Sequence, residues 1–229
     1  MNGEALLAIL YLFIDGIGFG KNEALNPFAR HGNSIFSLLG DRLPPSGWES
    51  WFIKPVNAHM GVSGLPQSAT GQTALWTGIN APRLMGHHKT GFPGPTLIPV
   101  IQEHSIVRRF KQAGKKARLV NAYGQRYLDR IAARPRLMST STHVQLASGQ
   151  PLGSMEMLQK GQALFMDITH EIMHSVYPQS KQEFPVKDPF ERGQHLAWLA
   201  KGDDLLLFEY FLTDKLGHDQ DVQHAPRIL

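Results

Sequence analysis

The run Asp204–Leu212 constrains the fold more than any other stretch of the chain. It is almost continuously apolar and has the length of a strand, a combination typical of a strand buried on both faces of a parallel sheet. A second run, Leu6–Ile14, has the same character and ends in Asp15-Gly16, a strand-to-loop signal. A third strand is predicted over Ala117–Ala122. We therefore expect the first two runs to form central strands buried on both faces.

Helix signals alternate with these strands. Ser105–Gln112 has a helical pattern, precedes the third strand and is stopped by Gly114. Further helices are predicted over Ser34–Leu39, Ala69–Thr77 and Phe190–Ala200. The alternation predicts an α/β fold, with a mostly parallel sheet and helices on both of its faces.

The middle of the chain has a different composition. Residues 123–185 contain short mixed segments rich in serine, threonine and glutamine, without a strong apolar strand. We predict that they form a small inserted cap. The core would then consist of a first part, residues 1–122, and a second part, residues 186–229, reached through a linker over 178–185. A chain of 229 residues is long enough for one core and a small cap.

Composition excludes several classes of protein. The chain is 42% hydrophobic and 18% charged, as in globular proteins, and has no cysteine for disulfides or thiolate metal sites. Its net charge of +4 is too mild to indicate nucleic-acid binding. The run Leu6–Ile14 is far shorter than the roughly 20 residues of a membrane span and follows no basic residue. We expect a cytoplasmic protein with neither nucleic-acid nor membrane partners.

One basic cluster lies around the predicted third strand. It indicates the solvated face of a helix and its turn rather than a nucleic-acid surface. Its members are Arg108, Arg109, Lys111, Lys115, Lys116 and Arg118.

Asp15 is the first candidate functional residue. It stands at the carboxyl end of a predicted strand, and ligands of open α/β sheets bind outside the carboxyl ends of strands. A carboxylate at that place can hold a divalent ion, and the flanking Gly16 and Gly18 permit close approach. The alternative is an aspartate that caps the following turn.

Ser68 is the second candidate. It precedes the predicted helix Ala69–Thr77, and Gly78 is a natural helix stop. We expect Ser68 to be the N-cap, where its hydroxyl faces free backbone N–H groups and the positive end of the helix dipole. That environment favours a bound phosphate and a developing alkoxide, although a plain serine cap has the same sequence.

The third candidate is the pair Asp214 and His218, in Asp-Lys-Leu-Gly-His directly after the strongest strand. An aspartate and a histidine four residues apart at a strand end can bind one metal together. Zinc and manganese accept such mixed oxygen and imidazole ligands.

Taken together, these motifs resemble the alkaline phosphatase superfamily. The branch that they resemble contains cofactor-independent phosphoglycerate mutase, phosphopentomutase and poorly characterised metalloenzymes. That family opens with a strand ending in Asp-Gly-x-Gly, matched by Asp15-Gly16-Ile17-Gly18. Its nucleophile precedes a helix-closing glycine with the spacing of Ser68 and Gly78, and its Asp-x-x-Gly-His motif is matched by Asp214 to His218. The three motifs occur in the family's order.

The resemblance implies a phosphatase or phosphomutase that cleaves or transfers a phosphate ester, or a related sulfate or phosphonate ester. Two divalent ions, zinc or manganese with magnesium as an alternative, would assist Ser68 as the nucleophile. Asp15 and Ser68 would hold one ion, and Asp214 and His218 the other. Gln72 stands where the mutases carry a histidine, so substrate contacts need not be the same.

Four further residues are candidates for contacts with a small anionic substrate. Three follow the nucleophile helix and one opens the predicted cap, and an exposed loop without function is the alternative for the first three. They are His87, His88, Lys89 and Arg126.

The sequence departs from the family at its C-terminal end. The family completes its site with an Asp-His pair after another strand and with a further histidine beyond that pair, and no Asp-His pair occurs between His218 and Leu229. We therefore expect the C-terminal part of the core to be missing. A missing segment or a second chain would complete the site, and the alternative is a catalytically incomplete fragment that binds metal and anion.

A rival motif lies inside the predicted cap. His170-Glu171-Ile-Met-His174 matches the His-Glu-x-x-His signature of zinc proteases. On a helix the two histidines would share one face, Glu171 would be the general base, and Glu191 could supply a third ligand. Pro178 ends any such helix early, so the protease is the less favoured alternative.

Overall fold

The structure is a computed structural model that describes residues 8–18, 26–27 and 54–220. Its strands are β1 (Ile9–Ile14), β2 (Ala117–Leu119), β3 (Ala122–Tyr123), β4 (Gly153–Ser154) and β5 (Leu205–Tyr210). Its helices are α1 (Ser68–Thr77), α2 (Ala81–Met85), α3 (Gly94–His104), α4 (Ile106–Gln112), α5 (Gln125–Ala133), α6 (Thr140–Leu146), α7 (Met155–Gln159), α8 (Glu171–Val176), α9 (Pro189–Ala200) and α10 (Leu212–Asp219). Two 3₁₀ turns span Pro135–Leu137 and Pro178–Lys181. The predicted helix Ser34–Leu39 lies outside the described residues.

Within residues 8–18 and 54–220, three strands form a parallel sheet in the order β1-β5-β2. β2 pairs with β5 in register from Ala117 opposite Leu205 to Leu119 opposite Leu207. β1 runs the same way along β5, because the N–H groups of Ile9 and Asp15 donate to the carbonyls of residues 204 and 210, with the same offset. The α/β class and the parallel sheet are therefore confirmed.

The two longest strands differ in burial. β5 is central, and Leu205 to Phe208 are each at most 2% exposed, as its apolar run predicts. β1 is an edge strand of the described sheet, and Leu10 and Leu12 on one of its faces are 37% and 49% exposed. The prediction that β1 is central and buried on both faces is wrong, because an apolar run does not specify a strand's place in the sheet.

One face of the sheet carries the larger hydrophobic core. Helices α1, α3, α4 and α6 pack together there, and α4 and α6 also contact β2. The buried members of this core come from both layers: Trp76, Ile101, Val107, Ala117, Leu119, Val144, Leu205 and Leu207. Helices α1, α4 and α9 confirm the predicted helices within one residue at each end.

β3 and β4 form a second pair of parallel strands. This pair begins just after β2, where the chain stops pairing with β5. Asn121 lies at this change of partner and pairs as an isolated bridge with Leu164. A second hydrophobic cluster packs beside it, formed by Ala122, Leu158, Ala163, Phe165, Met173 and Phe184. Helix α6 falls inside the predicted cap range, yet its Val144 belongs to the larger core.

The chain divides into two compact units. Of the described residues, the first unit contains 8–13 and 57–209, and the second contains 14–18, 26–27, 54–56 and 210–220. The predicted division into 1–122, 123–185 and 186–229 stays a prediction. Within the described ranges, no helix combines the length and apolarity needed to cross a membrane.

Candidate functional site

In the second unit, the Asp15-Gly16 turn packs directly against Asp214. Gly16 has a φ of +74°, and a Cβ at this position would overlap the backbone of Asp214. The hydroxyl of Thr213 donates to the carbonyl oxygen of Asp15, and the Asp15 N–H donates to the Tyr210 carbonyl at 2.9 Å. The structure therefore brings together two of the predicted metal-binding carboxylates, which are distant in sequence.

His218 joins this pair through helix α10. Asp214 lies in the first turn and His218 in the last, so the four-residue spacing places both side chains on one helical face. Nε2 of His218 lies 3.5 Å from Oδ1 of Asp214, and the two side chains are 59% and 30% exposed. Both remain accessible to a ligand from solvent.

The surroundings of Asp214 oppose the ionisation of its carboxyl group. Burial raises the pKa of Asp214, the neighbouring charge of Asp15 raises it further, and His218 lowers it by a smaller amount. Two carboxylates placed close together repel each other unless a cation or a proton lies between them. The neighbourhood therefore favours a bound positive charge.

The residues present fit a divalent cation in donor type. Two carboxylates and an imidazole are ligands that zinc and manganese accept. Among the residues that the structure describes, however, no three histidine, aspartate or glutamate side chains converge as a metal site would require. The Asp214–His218 pair, with Asp15 beside it, supplies part of a coordination shell.

Ser68 belongs to the first unit, whereas Asp15, Asp214 and His218 belong to the second. The N-cap of α1 is Gln67, with extended backbone and no side-chain capping bond, and Ser68 is the first helical residue. The prediction that Ser68 is the N-cap is therefore wrong by one position, because cap preference alone cannot separate neighbouring polar residues. Ser68 still lies in the first turn, near the positive end of the helix dipole. Gly78 ends the helix with a φ of 76°, as predicted.

The predicted substrate-binding loop lies against this end of α1. The Lys89 N–H donates to Oγ1 of Thr70 at 3.2 Å, and a ring nitrogen of His88 bonds the Val62 carbonyl in the loop that leads to Ser68. His87 is exposed and bonds the Met85 carbonyl. Sequence reasoning missed His59, whose ring packs edge-on against His88 at 6.2 Å.

Arg126, the fourth candidate, lies exposed in the first turn of α5. Its neighbour Tyr127 is held by stacking on Tyr123 at 4.8 Å, by Arg130 over its ring, and by a hydrogen bond between its hydroxyl and Thr142. The start of α5 is thus fixed by aromatic and hydroxyl contacts, while the Arg126 side chain reaches solvent.

A buried polar network joins α1 to the sheet, and sequence reasoning did not find it. Nε2 of Gln72 donates to Oε1 of Glu209 at 2.9 Å, and both residues are about as buried as the core, at 5% and 6% exposed. The amide of Asn121 donates to the Glu209 carbonyl at 2.8 Å and accepts from its N–H at 2.9 Å. The sequence offered one signal of this network, a glutamate within the apolar run of β5.

The His-Glu-x-x-His motif does not have the expected geometry. Helix α8 begins at Glu171, so His170 precedes it, in the left-handed conformation with a φ of 75°. The rings of His170 and His174 bond the carbonyls of Pro185 and Phe184, at 3.0 and 2.6 Å. The two imidazoles therefore fasten this segment to the following loop instead of sharing one helical face.

Asp167 explains why the segment folds this way. It is 2% exposed, and its carboxylate accepts from the N–H groups of His170, Ile172 and Met173. These are the orphan donors of a helix start, so Asp167 caps α8. Glu191, the predicted third ligand, lies in the first turn of α9, where its N–H is capped by Asp188.

Comparison with protein-family models, curated proteins and solved structures found no match to this chain. The geometry of the two groups, Asp15 with Asp214 and His218, and Ser68 with the 87–89 loop, is therefore the basis for any proposal about function.

Proposed function

We propose that the chain is a metal-dependent phosphoester hydrolase or phosphotransferase with Ser68 as its nucleophile, built on an alkaline phosphatase-like core. The observation that carries the proposal is the packing of the Asp15-Gly16 turn on Asp214, with His218 3.5 Å from Asp214. An aspartate and a histidine on one helical face, with a second aspartate in the turn packed beside them, supply donors of the type that a divalent cation accepts.

The residues of the chain have separate roles in this proposal. By the resemblance, Asp214 and His218 would hold one zinc or manganese ion, with Asp15 beside them. Bound divalent ions would supply Lewis-acid stabilisation of negative charge on oxygen. Asp214 must be ionised to bind a cation, and the repulsion from Asp15 is relieved when one is bound.

Ser68 would attack phosphorus through its hydroxyl oxygen, in line with the leaving oxygen, to form a phosphoserine that water or an acceptor hydroxyl then cleaves. Its position in the first turn of α1 supports this role, because the helix dipole stabilises an alkoxide and a bound phosphate. Lys89 and His88, held against the same end of α1, are suited to bind the anionic part of a substrate.

A second candidate is a protein that binds cation and anion without turnover. It is favoured by one observation: in the described part of the chain, no set of three metal-binding side chains converges. An incomplete coordination shell could bind a cation and still lack the charge stabilisation that hydrolysis of a phosphoester needs.

The test is hydrolysis of 4-nitrophenyl phosphate with manganese or zinc, with 4-nitrophenyl sulfate assayed in parallel. Ser68→Ala should lower turnover by at least about a thousandfold, because a nucleophile cannot be replaced by positioning alone. The matched control is Ser63→Ala, an exposed serine in the preceding loop, which should retain full turnover. Mass spectrometry of the acid-quenched reaction should show a phosphate on Ser68.

Three outcomes decide between the candidates. Turnover lost in Ser68→Ala and kept in Ser63→Ala supports the enzyme. Metal binding that depends on Asp214, without turnover of either ester, supports the binding protein. Turnover that survives Ser68→Ala contradicts the proposed nucleophile.

A further inference from the structure

Glu209 is a buried carboxylate for which the proposed reaction has no use. It is 6% exposed in β5, among leucine and phenylalanine side chains that are at most 2% exposed. Burial of a carboxylate is costly unless hydrogen bonds compensate it. One compensating bond links it to another element and comes from Nε2 of Gln72, at 2.9 Å.

Gln72 lies one helical turn after Ser68, on the buried side of α1. Two neighbouring threonines bond to backbone carbonyls one turn earlier in α1. Thr73 donates to the Ala69 carbonyl and Thr77 to the Thr73 carbonyl, both at 2.6 Å. Gln72 instead reaches across to the sheet. It therefore gives the first half of α1 a polar attachment to β5 beside the apolar contacts of the core.

Glu209 is itself held in place from the other side. The side chain of Asn121 pairs with both backbone groups of Glu209, so the carboxylate projects from a backbone that cannot shift freely. Tyr123 lies near it, and burial followed by the charge of Glu209 raises the pKa of the Tyr123 hydroxyl well above its usual range. Tyr123 is therefore neutral beside the Glu209 side chain.

We propose that Glu209 is a positioning residue for Ser68, acting through Gln72 on the first turn of the nucleophile helix. This inference rests on the proposed function. A hydrogen bond to a carboxylate is roughly twice as strong as one between neutral groups. Displacement of a reacting group by about 1 Å can cost about a hundredfold in rate. A bond that fixes the turn carrying the nucleophile therefore contributes to turnover without touching the substrate.

The experiment exchanges the two partners. Gln72→Glu places two carboxylates face to face, and Gln72→Glu combined with Glu209→Gln restores one amide donor and one carboxylate acceptor in reversed order. We expect Gln72→Glu to lower kcat about 30- to 100-fold at pH 8 with a smaller change in KM, and the exchanged pair to recover to within about threefold of wild type. The control is Gln112→Glu, at an exposed position at the end of α4, which should change neither constant.

The pH profile of the single variant is a readout that a merely structural role would not move. Two facing carboxylates share a proton when the pH falls, and the shared proton restores a hydrogen bond between them. The kcat of Gln72→Glu, relative to wild type at the same pH, should therefore rise as the pH falls from 8 to 6. Tyr123 stays neutral over this range and does not contribute.

Hydrogen exchange of the amides of residues 69–73, measured without metal, separates failure of this inference from failure of the proposed function. Faster exchange in Gln72→Glu and recovery in the exchanged pair would show that the bond fixes the turn, whatever the turnover. An active wild type whose kcat is unchanged in Gln72→Glu would overturn the positioning role. An inactive wild type would overturn the proposed function and the positioning role with it.

Discussion

The side chain of Asn121 makes the two hydrogen bonds to Glu209 of β5 that a neighbouring strand backbone would otherwise make. Its removal tests how much these bonds stabilise the sheet. After Val120 the backbone that follows β2 no longer pairs with β5. The side-chain amide of Asn121 there bonds both the N–H and the carbonyl of Glu209, at 2.9 and 2.8 Å. Asn121 is 3% exposed, so water does not reach these groups easily. Asn121→Ala removes both partners and leaves two buried backbone groups unsatisfied.

The magnitude follows from the cost of each orphaned group. An unsatisfied buried donor or acceptor costs about 1–3 kcal/mol, so two of them should lower the free energy of unfolding by about 2–4 kcal/mol when water partly replaces the amide. With a typical urea dependence of about 2 kcal/mol per molar, the midpoint of unfolding should fall by about 1–2 M. Such a loss is a large share of the roughly 5–15 kcal/mol that stabilises most domains.

The assay is urea unfolding followed by tryptophan fluorescence, since Trp76 is buried in the larger core. The control is Asn57→Ala, an exposed asparagine whose side chain also accepts a backbone N–H, from His59 at 3.0 Å. It should change stability by no more than about 0.5 kcal/mol, as most surface substitutions do.

Asn121→Asp sharpens the test. An ionised aspartate can still accept from the Glu209 N–H but cannot donate to its carbonyl, and it adds a buried charge. It should be at least as destabilising as Asn121→Ala at pH 7.5 and recover in part at low pH, where a protonated carboxyl can donate. If Asn121→Ala and Asn57→Ala have the same urea midpoint, the side-chain bridge does not stabilise the junction.

Three further predictions concern the second unit and the segment after Asp167. Gly16→Ala should weaken Mn²⁺ binding at least about tenfold in calorimetry, because the added Cβ overlaps Asp214 and the residue has a positive φ. The control Gly18→Ala, which has open space around the added Cβ, should not weaken Mn²⁺ binding. Asp214→Asn should raise Tm without metal, since it removes the repulsion from Asp15. The same substitution should abolish the rise in Tm on adding Mn²⁺. A lower Tm without metal would contradict the electrostatic argument. Burial lowers the pKa of His170, so the unfolded chain takes up more protons and stability should fall as pH drops below about 6.5. The urea midpoint should therefore be lower at pH 5.5 than at 7.5, with a smaller difference in His170→Gln, and an unchanged difference would exclude His170 as a source.

Local patterns predicted the elements well and their surroundings less well. The apolar run of β5 and the helical patterns of α1, α4 and α9 depend on neighbours in sequence, and these elements are confirmed. The exposure of β1 depends on its place at the sheet edge, which its apolar composition does not encode. The fold class could therefore be predicted, whereas the position of a strand within the sheet could not.

The candidate site divides in the same way. The turn after β1 and the Asp214–His218 spacing are local features, and in the structure Gly16 of the turn packs against Asp214, 3.5 Å from which lies His218. The Gln72–Glu209 and Asn121–Glu209 bonds join residues 137 and 88 positions apart, so no window of sequence contains both partners. The His-Glu-x-x-His pattern does not form the helical face that it indicates, because its geometry depends on the Asp167 cap and on carbonyls beyond the five residues.

The absence of a side chain at position 16 has a consequence for how a cation could bind. Because the turn and the start of α10 touch backbone to backbone, Asp15 and Asp214 are assembled when the unit folds, before any ligand arrives. A ligand therefore does not have to order two loose segments, and the entropy of bringing them together is already spent in folding. The cation would meet a preorganised pair whose mutual repulsion becomes part of its binding energy.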